Sequence, residues 1–205
     1  MSLHIPETFD IMCRISFDRS NIQDIPVLLD LIKEKDFTER IDPYFGCITQ
    51  TTLQTGNSKS FCSQYVLKDE EIADGYIYLY TEANKRGFFI PDFFSFGPCM
   101  AIAEGGMIIA PNGNIFKCLD MIGIDSLVVG DITESQERQL YSDFMRAPQL
   151  NQCLKTDCPF VPVCGGGCIM ESYLKTKDFT RLTCHRDILE RIYAVLLPLK
   201  YPHES

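Results

Sequence analysis

The chain has 205 residues, of which 45% are hydrophobic, and its formal net charge is −9. This composition predicts one large globular domain or two small ones. The acidic balance, without clustered Lys and Arg, argues against a nucleic-acid partner. No stretch approaches the roughly 20 apolar residues of a membrane helix. The start of the chain also has no apolar signal segment. We therefore expect a cytoplasmic protein with no membrane partner.

The first part of the chain predicts alternating strands and helices. Apolar periodicity and β-branched content indicate the order strand, helix, strand, helix over residues 9–18, 20–37, 41–52 and 69–87. Ser20 or Asn21 is a candidate N-cap of the first helix, and Gly87 is a C-terminal stop for the second. This alternation favours parallel strands. The segment is either a piece of a larger α/β domain or a small α+β domain that is complete in itself.

The second part changes character after a boundary near residues 90–98. Residues 106–118 predict a β-hairpin with a two-residue turn at Asn112-Gly113. A strand over 126–132 and a helix near 134–147 follow. A C-terminal helix over 187–197 is expected to bury four apolar side chains, those of Ile188, Ile192, Val195 and Leu196.

Ten cysteines are the most informative feature of the composition, and seven of them lie at or after Cys99. In a reducing compartment such a density indicates metal binding more often than disulfides. Thiolates are soft ligands suited to iron–sulfur clusters or zinc. Cys13, Cys47 and Cys62 match no motif, and we expect them to be small buried hydrophobic residues.

The seven later cysteines follow a recognisable spacing. Cys99 begins C-x13-G-x4-C, which runs through Gly113 to Cys118, and C-x4-C-x5-C-x3-C follows from Cys153 to Cys168, with a last cysteine at Cys184. This pattern resembles the SPASM domain, the C-terminal extension of many radical S-adenosylmethionine enzymes. The family pattern has x2 where this chain has x4, between Cys153 and Cys158.

The resemblance implies two auxiliary [4Fe–4S] clusters. The first would be held by a three-cysteine set, Cys99, Cys118 and Cys168. The second would be held by a four-cysteine set, Cys153, Cys158, Cys164 and Cys184. The first cluster would then keep one open or non-cysteine position, which we hypothesise takes a substrate group. Three glycines, Gly165 to Gly167, would let the chain turn tightly between the two sites.

The resemblance also implies a fold class, α/β followed by a small α+β domain. Residues 1–92 would be the C-terminal βαβα piece of a partial (β/α)6 barrel. Residues 93–205 would be a cysteine-rich SPASM domain with a β-hairpin and helices. The C-x3-C-x2-C loop of radical S-adenosylmethionine enzymes is absent from this chain. We therefore expect a C-terminal fragment or a truncated relative that does not cleave S-adenosylmethionine alone.

The parent enzyme would act on a peptide or protein, and it would bind S-adenosylmethionine in an N-terminal region that this chain lacks. The clusters here would relay electrons, bind substrate, or both. No residue of this chain is assigned a catalytic role. Asp120 lies one position beyond the Asp that acts as a base in sulfatase-maturing relatives, so a turn carboxylate is the preferred interpretation. His185, beside Cys184, is either a hydrogen-bond donor near the ligands or an ordinary exposed histidine.

Two other interpretations remain open. Zinc in the four-cysteine set would make the chain a structural or peptide-recognition module, and this becomes more relevant if the protein is prepared in air. An extracellular disulfide domain is disfavoured by the absence of a signal segment.

Overall fold

The computed structural model describes residues 11–48, 65–90, 99–133, 140–142 and 149–202. By their internal contacts these residues divide into two compact units. The first unit contains residues 11–48, 65–90 and 187–202, and the second unit contains residues 99–133, 140–142 and 149–186. The C-terminal helix thus groups with the first unit. The assignment of 1–92 and 93–205 to two domains stays a prediction.

The first unit follows the order strand, helix, strand, helix. Its elements are β1 (Ile11–Phe17), α1 (Ile25–Glu34), β2 (Ile41–Cys47) and α2 (Asp69–Lys85). β1 and β2 pair in parallel, with Ile11 opposite Ile41 and Phe17 opposite Cys47. The parallel arrangement predicted from the alternation of elements is therefore confirmed for this pair.

The predicted N-cap of α1 is wrong. The helix begins after Asp24, with Pro26 in its first turn, where a fixed φ suits the helix and the missing N–H needs no partner. Ser20 and Asn21 instead bond to Asp18 in the preceding turn. The Ser20 hydroxyl lies 2.5 Å from the Asp18 carboxylate, and Asn21 Oδ1 accepts the Asp18 N–H at 2.9 Å.

The core of the first unit lies between the strand pair and its helices. Its fully buried large side chains include Phe17, Leu29, Phe45, Leu79 and Tyr80. α2 also supplies polar contacts to β2, since the hydroxyl of Tyr80 accepts the Phe45 N–H at 3.3 Å. α2 is thus aligned along β2 by apolar packing and by hydrogen bonding together.

The C-terminal helix α6 (Arg186–Lys200) shows part of the predicted buried face, since Ile192 and Leu196 are buried as expected and Ile188 is half-buried. Its buried residues are Ile192, Tyr193 and Leu196. Val195 is 38% exposed, so its predicted burial is wrong. Within the first unit, this helix contacts α2 through an ion pair between Arg191 and Asp74.

The second unit contains a small antiparallel sheet of order β3-β4-β5. Its strands are β3 (Ile108–Ile109), β4 (Asn114–Phe116) and β5 (Gly130–Asp131). The predicted hairpin is present, but its turn has three residues, Pro111 to Gly113. The Gly113 N–H donates to Ala110 O at 2.9 Å and its φ is +90°. Pro111 fixes φ at the start of the turn, which favours this longer connection over a two-residue turn.

The remainder of the second unit consists of short helices. They are α3 (Gln149–Lys155), α4 (Val161–Cys164) and α5 (Ile169–Thr176). Of the predicted strand 126–132 only β5 is a strand, because the residues Asp125–Leu127 form a 3-10 turn. Most of the predicted helix 134–147 lies outside the described residues. Across the described ranges, no helix has both the length and the apolar character that crossing a membrane requires.

Candidate metal centre

Each member of the three-cysteine set stands at the boundary of a short element. Cys99 precedes the 3-10 turn Met100–Ile102, and Cys118 follows β4 and precedes the 3-10 turn Leu119–Met121. Cys168 is the N-cap of α5. Cys118 and Cys168 both pack against the apolar core of the second unit. The hairpin, its turn and the start of α5 therefore position these thiols.

Electrostatic interactions join all three members of this set. Burial raises the pKa of the Cys118 thiol to about 11, and the charges of Asp120, Cys168 and Cys99 act in the same direction. The pKa of Cys168 is raised by burial first, and the charges of Glu171 and Cys99 add to the rise. Negative charge on a neighbouring sulfur therefore opposes the loss of a proton from Cys118 or Cys168. A bound cation would remove that opposition.

Backbone N–H groups point at two of the three sulfurs. Glu171 N donates to Cys168 Sγ at 3.4 Å, and Met170 N is a second backbone donor to it. Asp120 N donates to Cys118 and lowers its pKa against the effect of burial. Hydrogen bonds of this kind stabilise thiolates and influence the potential of iron–sulfur clusters.

A buried lysine connects the parts of the chain that carry Cys99 and Cys118. Lys117 is 0% exposed, which is rare for lysine without partners. Its ammonium donates to Ala103 O and Gly106 O, both at 2.6 Å, and lies 5.1 Å from the ring centroid of Tyr141. Ala103 N in turn bonds to Cys99 O at 3.1 Å. Lys117 thus holds the turn after Cys99 against the end of β4.

The four-cysteine set comes from α3, α4 and the loop before α6. Cys153 is the one buried member, and its backbone carbonyl accepts the Cys158 N–H at 3.3 Å. Cys164 ends α4, and Cys184 is exposed. Burial raises the pKa of the Cys153 thiol, and the charges of its three partners in the set add to that rise.

The glycine run explains how the chain passes from one set to the other. Gly165, Gly166 and Gly167 have φ values of +64°, +97° and +83°, which residues with a Cβ seldom adopt. A Cβ on Gly167 would lie 2.2 Å from Thr183 O. The glycines therefore allow the segment before Cys184 to approach the backbone between Cys164 and Cys168.

A hydrogen-bonded pair, Glu171 and His185, lies beside both sets. The Nε2 atom of His185 is 2.8 Å from the Glu171 carboxylate, and Lys175 forms an ion pair with the same carboxylate at 2.8 Å. Burial raises the pKa of Glu171, but bonds from His185 and Lys175 outweigh it and lower that pKa to about 2. An ionised carboxylate only accepts, so His185 Nε2 donates. His185 is thus a bonded residue beside Cys184.

The remaining candidates lie elsewhere. Asp120 is a half-buried carboxylate in a 3-10 turn, and burial raises its pKa. Cys13 and Cys47 are half-buried in the first unit, less buried than predicted, and Cys62 lies outside the described residues. Among the residues that the structure describes, no three Cys, His, Asp or Glu groups are gathered closely enough to hold a single metal ion. Electrostatic interaction between thiols extends over longer distances than direct coordination of one metal ion. The members of each cysteine set are therefore grouped by electrostatic interaction and not by a shared coordination sphere.

Sequence reasoning missed two residues of this region. Lys117 has the sequence signature of an ordinary surface lysine, although it stands between Phe116 and Cys118. Glu171 carried no signal, because its partner His185 is 14 residues away. The chain matches no known protein-family model, and no match was found among curated proteins.

Proposed function

We propose that this chain is an auxiliary iron–sulfur module, the C-terminal part of a radical S-adenosylmethionine enzyme that modifies a peptide or protein. The three-cysteine set would hold one [4Fe–4S] cluster and the four-cysteine set another. The module would relay electrons, bind substrate, or both, in the cytoplasm. The catalytic cluster would belong to an N-terminal region with the C-x3-C-x2-C loop.

One observation carries the proposal. The charges of Cys99 and Cys168 act on Cys118, whereas those of Cys158, Cys164 and Cys184 act on Cys153. These two groupings coincide with the two ligand sets that the resemblance to the SPASM domain implies. Cys164 and Cys168 are separated by three glycines and fall in different groups. This supports a junction, that is, a segment that links two separate metal sites, over a single site that uses all of these cysteines.

The donor chemistry fits iron–sulfur clusters. All seven ligands would be thiolates, which are the usual ligands of such clusters. The raised pKa values of Cys118, Cys153 and Cys168 mean that these three thiols keep their protons near neutral pH, so metal binding would be accompanied by proton release. The N–H donors to Cys118 and Cys168 would stabilise the sulfurs after that release. When bound, the clusters would supply one-electron transfer.

Anaerobic purification with quantification of iron, sulfide and zinc tests the proposal. We expect about eight irons and eight sulfides per chain, four of each per cluster. Cys13→Ala is the matched control, since this cysteine belongs to neither set, and it should leave these contents unchanged. With S-adenosylmethionine and a reductant, the chain should form no 5′-deoxyadenosine.

Other metal contents would decide against the proposal. One zinc per chain without sulfide would favour a structural or peptide-recognition module built on the four-cysteine set. Paired thiols without metal would favour a disulfide domain. Formation of 5′-deoxyadenosine by this chain alone would contradict its assignment as the non-catalytic part of the enzyme.

A further inference from the structure

Cys184 is the member of the four-cysteine set with the least local support. It is exposed, and residues 182–185 have no regular secondary structure. The cysteine nearest to it in the sequence, Cys168, belongs to the three-cysteine set. Contacts from outside its own loop must therefore determine where its thiol lies.

Three contacts tie this loop to the start of α5. Gly167 approaches Thr183 O so closely that a Cβ would collide with it. The hydroxyl of the fully buried Ser172 lies 2.5 Å from Arg181 O and 3.0 Å from Asp178 O. The third contact is the 2.8 Å bond between His185 and Glu171, and it is the one adjacent to Cys184.

Glu171 also reaches the three-cysteine set. Its backbone N–H donates to Cys168 Sγ, while its side chain accepts from His185. Its side chain is 19% exposed and that of His185 is 33% exposed, so the bond between them is partly shielded from water. One residue thus contacts a ligand of one set through its backbone and the neighbour of a ligand of the other set through its carboxylate.

We propose that Glu171 and His185 are positioning residues that hold Cys184 in the four-cysteine set and fix it relative to Cys168. This inference rests on the proposed function, in that it takes the set as a metal site, but it does not depend on which metal binds. Residues that orient metal ligands in this way commonly change metal affinity by about 10–100-fold when they are replaced.

The decisive measurement is the affinity of the four-cysteine set for cobalt(II), whose thiolate absorption reports on binding. It is made on apo protein in a Cys118→Ser background, which removes the three-cysteine set. We expect Glu171→Ala and His185→Ala to weaken cobalt binding about 10–100-fold. Glu171→Gln, which keeps an acceptor oxygen, should retain part of the affinity. Lys175→Ala removes the other partner of Glu171 and should bind cobalt like the parent protein.

A parallel measurement on iron-reconstituted protein separates positioning from general damage. In the full-length chain with all cysteines, Glu171→Ala should lose iron and the electron paramagnetic resonance signal of the second cluster while keeping those of the first. Unchanged cobalt affinity in both alanine variants, with circular dichroism like that of the parent, would overturn the inference. Equal loss of both sites in a folded variant would also overturn it.

The two proposals fail separately. A parent chain that takes up zinc and no iron would contradict the iron–sulfur function, and the cobalt titration would still test the positioning role. If the unsubstituted chain and both alanine variants each contain about eight irons, the iron–sulfur function is supported and the positioning role of Glu171 and His185 is contradicted.

Discussion

The two units of the chain are stabilised in different ways. In the first unit, seven-residue strands and a 17-residue helix bury apolar faces against one another. In the second unit, the strands have two or three residues. There, buried polar side chains hold the chain, and both Lys117 and Ser172 are fully buried against pairs of backbone carbonyls. A unit with such short regular elements depends on these buried hydrogen bonds.

The strongest test of this contrast separates the two cysteine sets. Cys168→Ala should remove the first site, and Cys164→Ala the second, with a loss of about four irons each. Both changes should leave the first unit folded, because its core contains neither residue. Iron quantification and hydrogen exchange measure the two effects. Depletion of the same site by both variants would refute the junction between two sites.

A core substitution in the first unit should destabilise that unit without lowering the metal content of the second unit. Leu29 on α1 is 0% exposed, and Leu29→Ala should destabilise the first unit by about 3 kcal/mol through lost burial and the cavity left behind. Val27→Ala, at a position that is 69% exposed on the same helix, is the control. Urea unfolding followed by hydrogen exchange measures the loss. Metal content lowered by Leu29→Ala but not by Val27→Ala would show that the units are not independent.

Lys117 tests the importance of polar ties in the second unit. Lys117→Met keeps most of the stem but leaves the carbonyls of Ala103 and Gly106 without their donor, which should cost about 2 kcal/mol. Lys85→Met, at a side chain that is 63% exposed, should cost little. Hydrogen exchange of the hairpin measures the difference. Equal stability of the two variants would argue against the tie.

The smallest expected effect concerns surface charge in the first unit. Arg86 lowers the pKa of Asp30 by hydrogen bonding, and after Lys85 it also lowers that of Glu82. Carboxyls with a lowered pKa contribute stability above their ordinary values of 3.8 and 4.5, and this contribution is lost as the pH falls further.

The matching experiment compares Arg86→Met with the parent at two pH values. The variant should unfold at a lower urea concentration at pH 7, and the difference should shrink by pH 3. The effect is small because exposed ion pairs contribute little. Lys35→Met, near the end of α1, serves as the control. A difference that grows toward acid pH would contradict the sign of these pKa shifts.

Local pattern predicted the elements of the first unit well. Apolar periodicity located α1, α2 and the strands, because those faces must be buried. It failed where a side chain had another partner, as when Ser20 bonded to Asp18 and left the capping position to Asp24. The burial of Val195 was predicted from helical spacing alone and is wrong. Which face of that helix is buried depends on contacts that are distant in sequence.

In the candidate site, too, some features could be predicted from the sequence and others depend on contacts that are distant in sequence. The resemblance of the cysteine pattern to the SPASM domain implied which thiols would belong together. It gave no account of the ties between them. Lys117 contacts carbonyls 11 and 14 residues away, and Glu171 bonds a histidine 14 residues away. Contacts of this kind arise only when the chain folds back on itself, and no periodicity encodes them.

The three glycines between Cys164 and Cys168 also bear on the order in which the ligands of the first site would come together. A glycine run loses more backbone entropy on ordering than any other sequence, so the segment between Cys164 and Cys168 is costly to order. Lys117 and the hairpin already connect the segments that carry Cys99 and Cys118. Under the proposed function, we therefore expect Cys99 and Cys118 to be in place before Cys168 completes the first site.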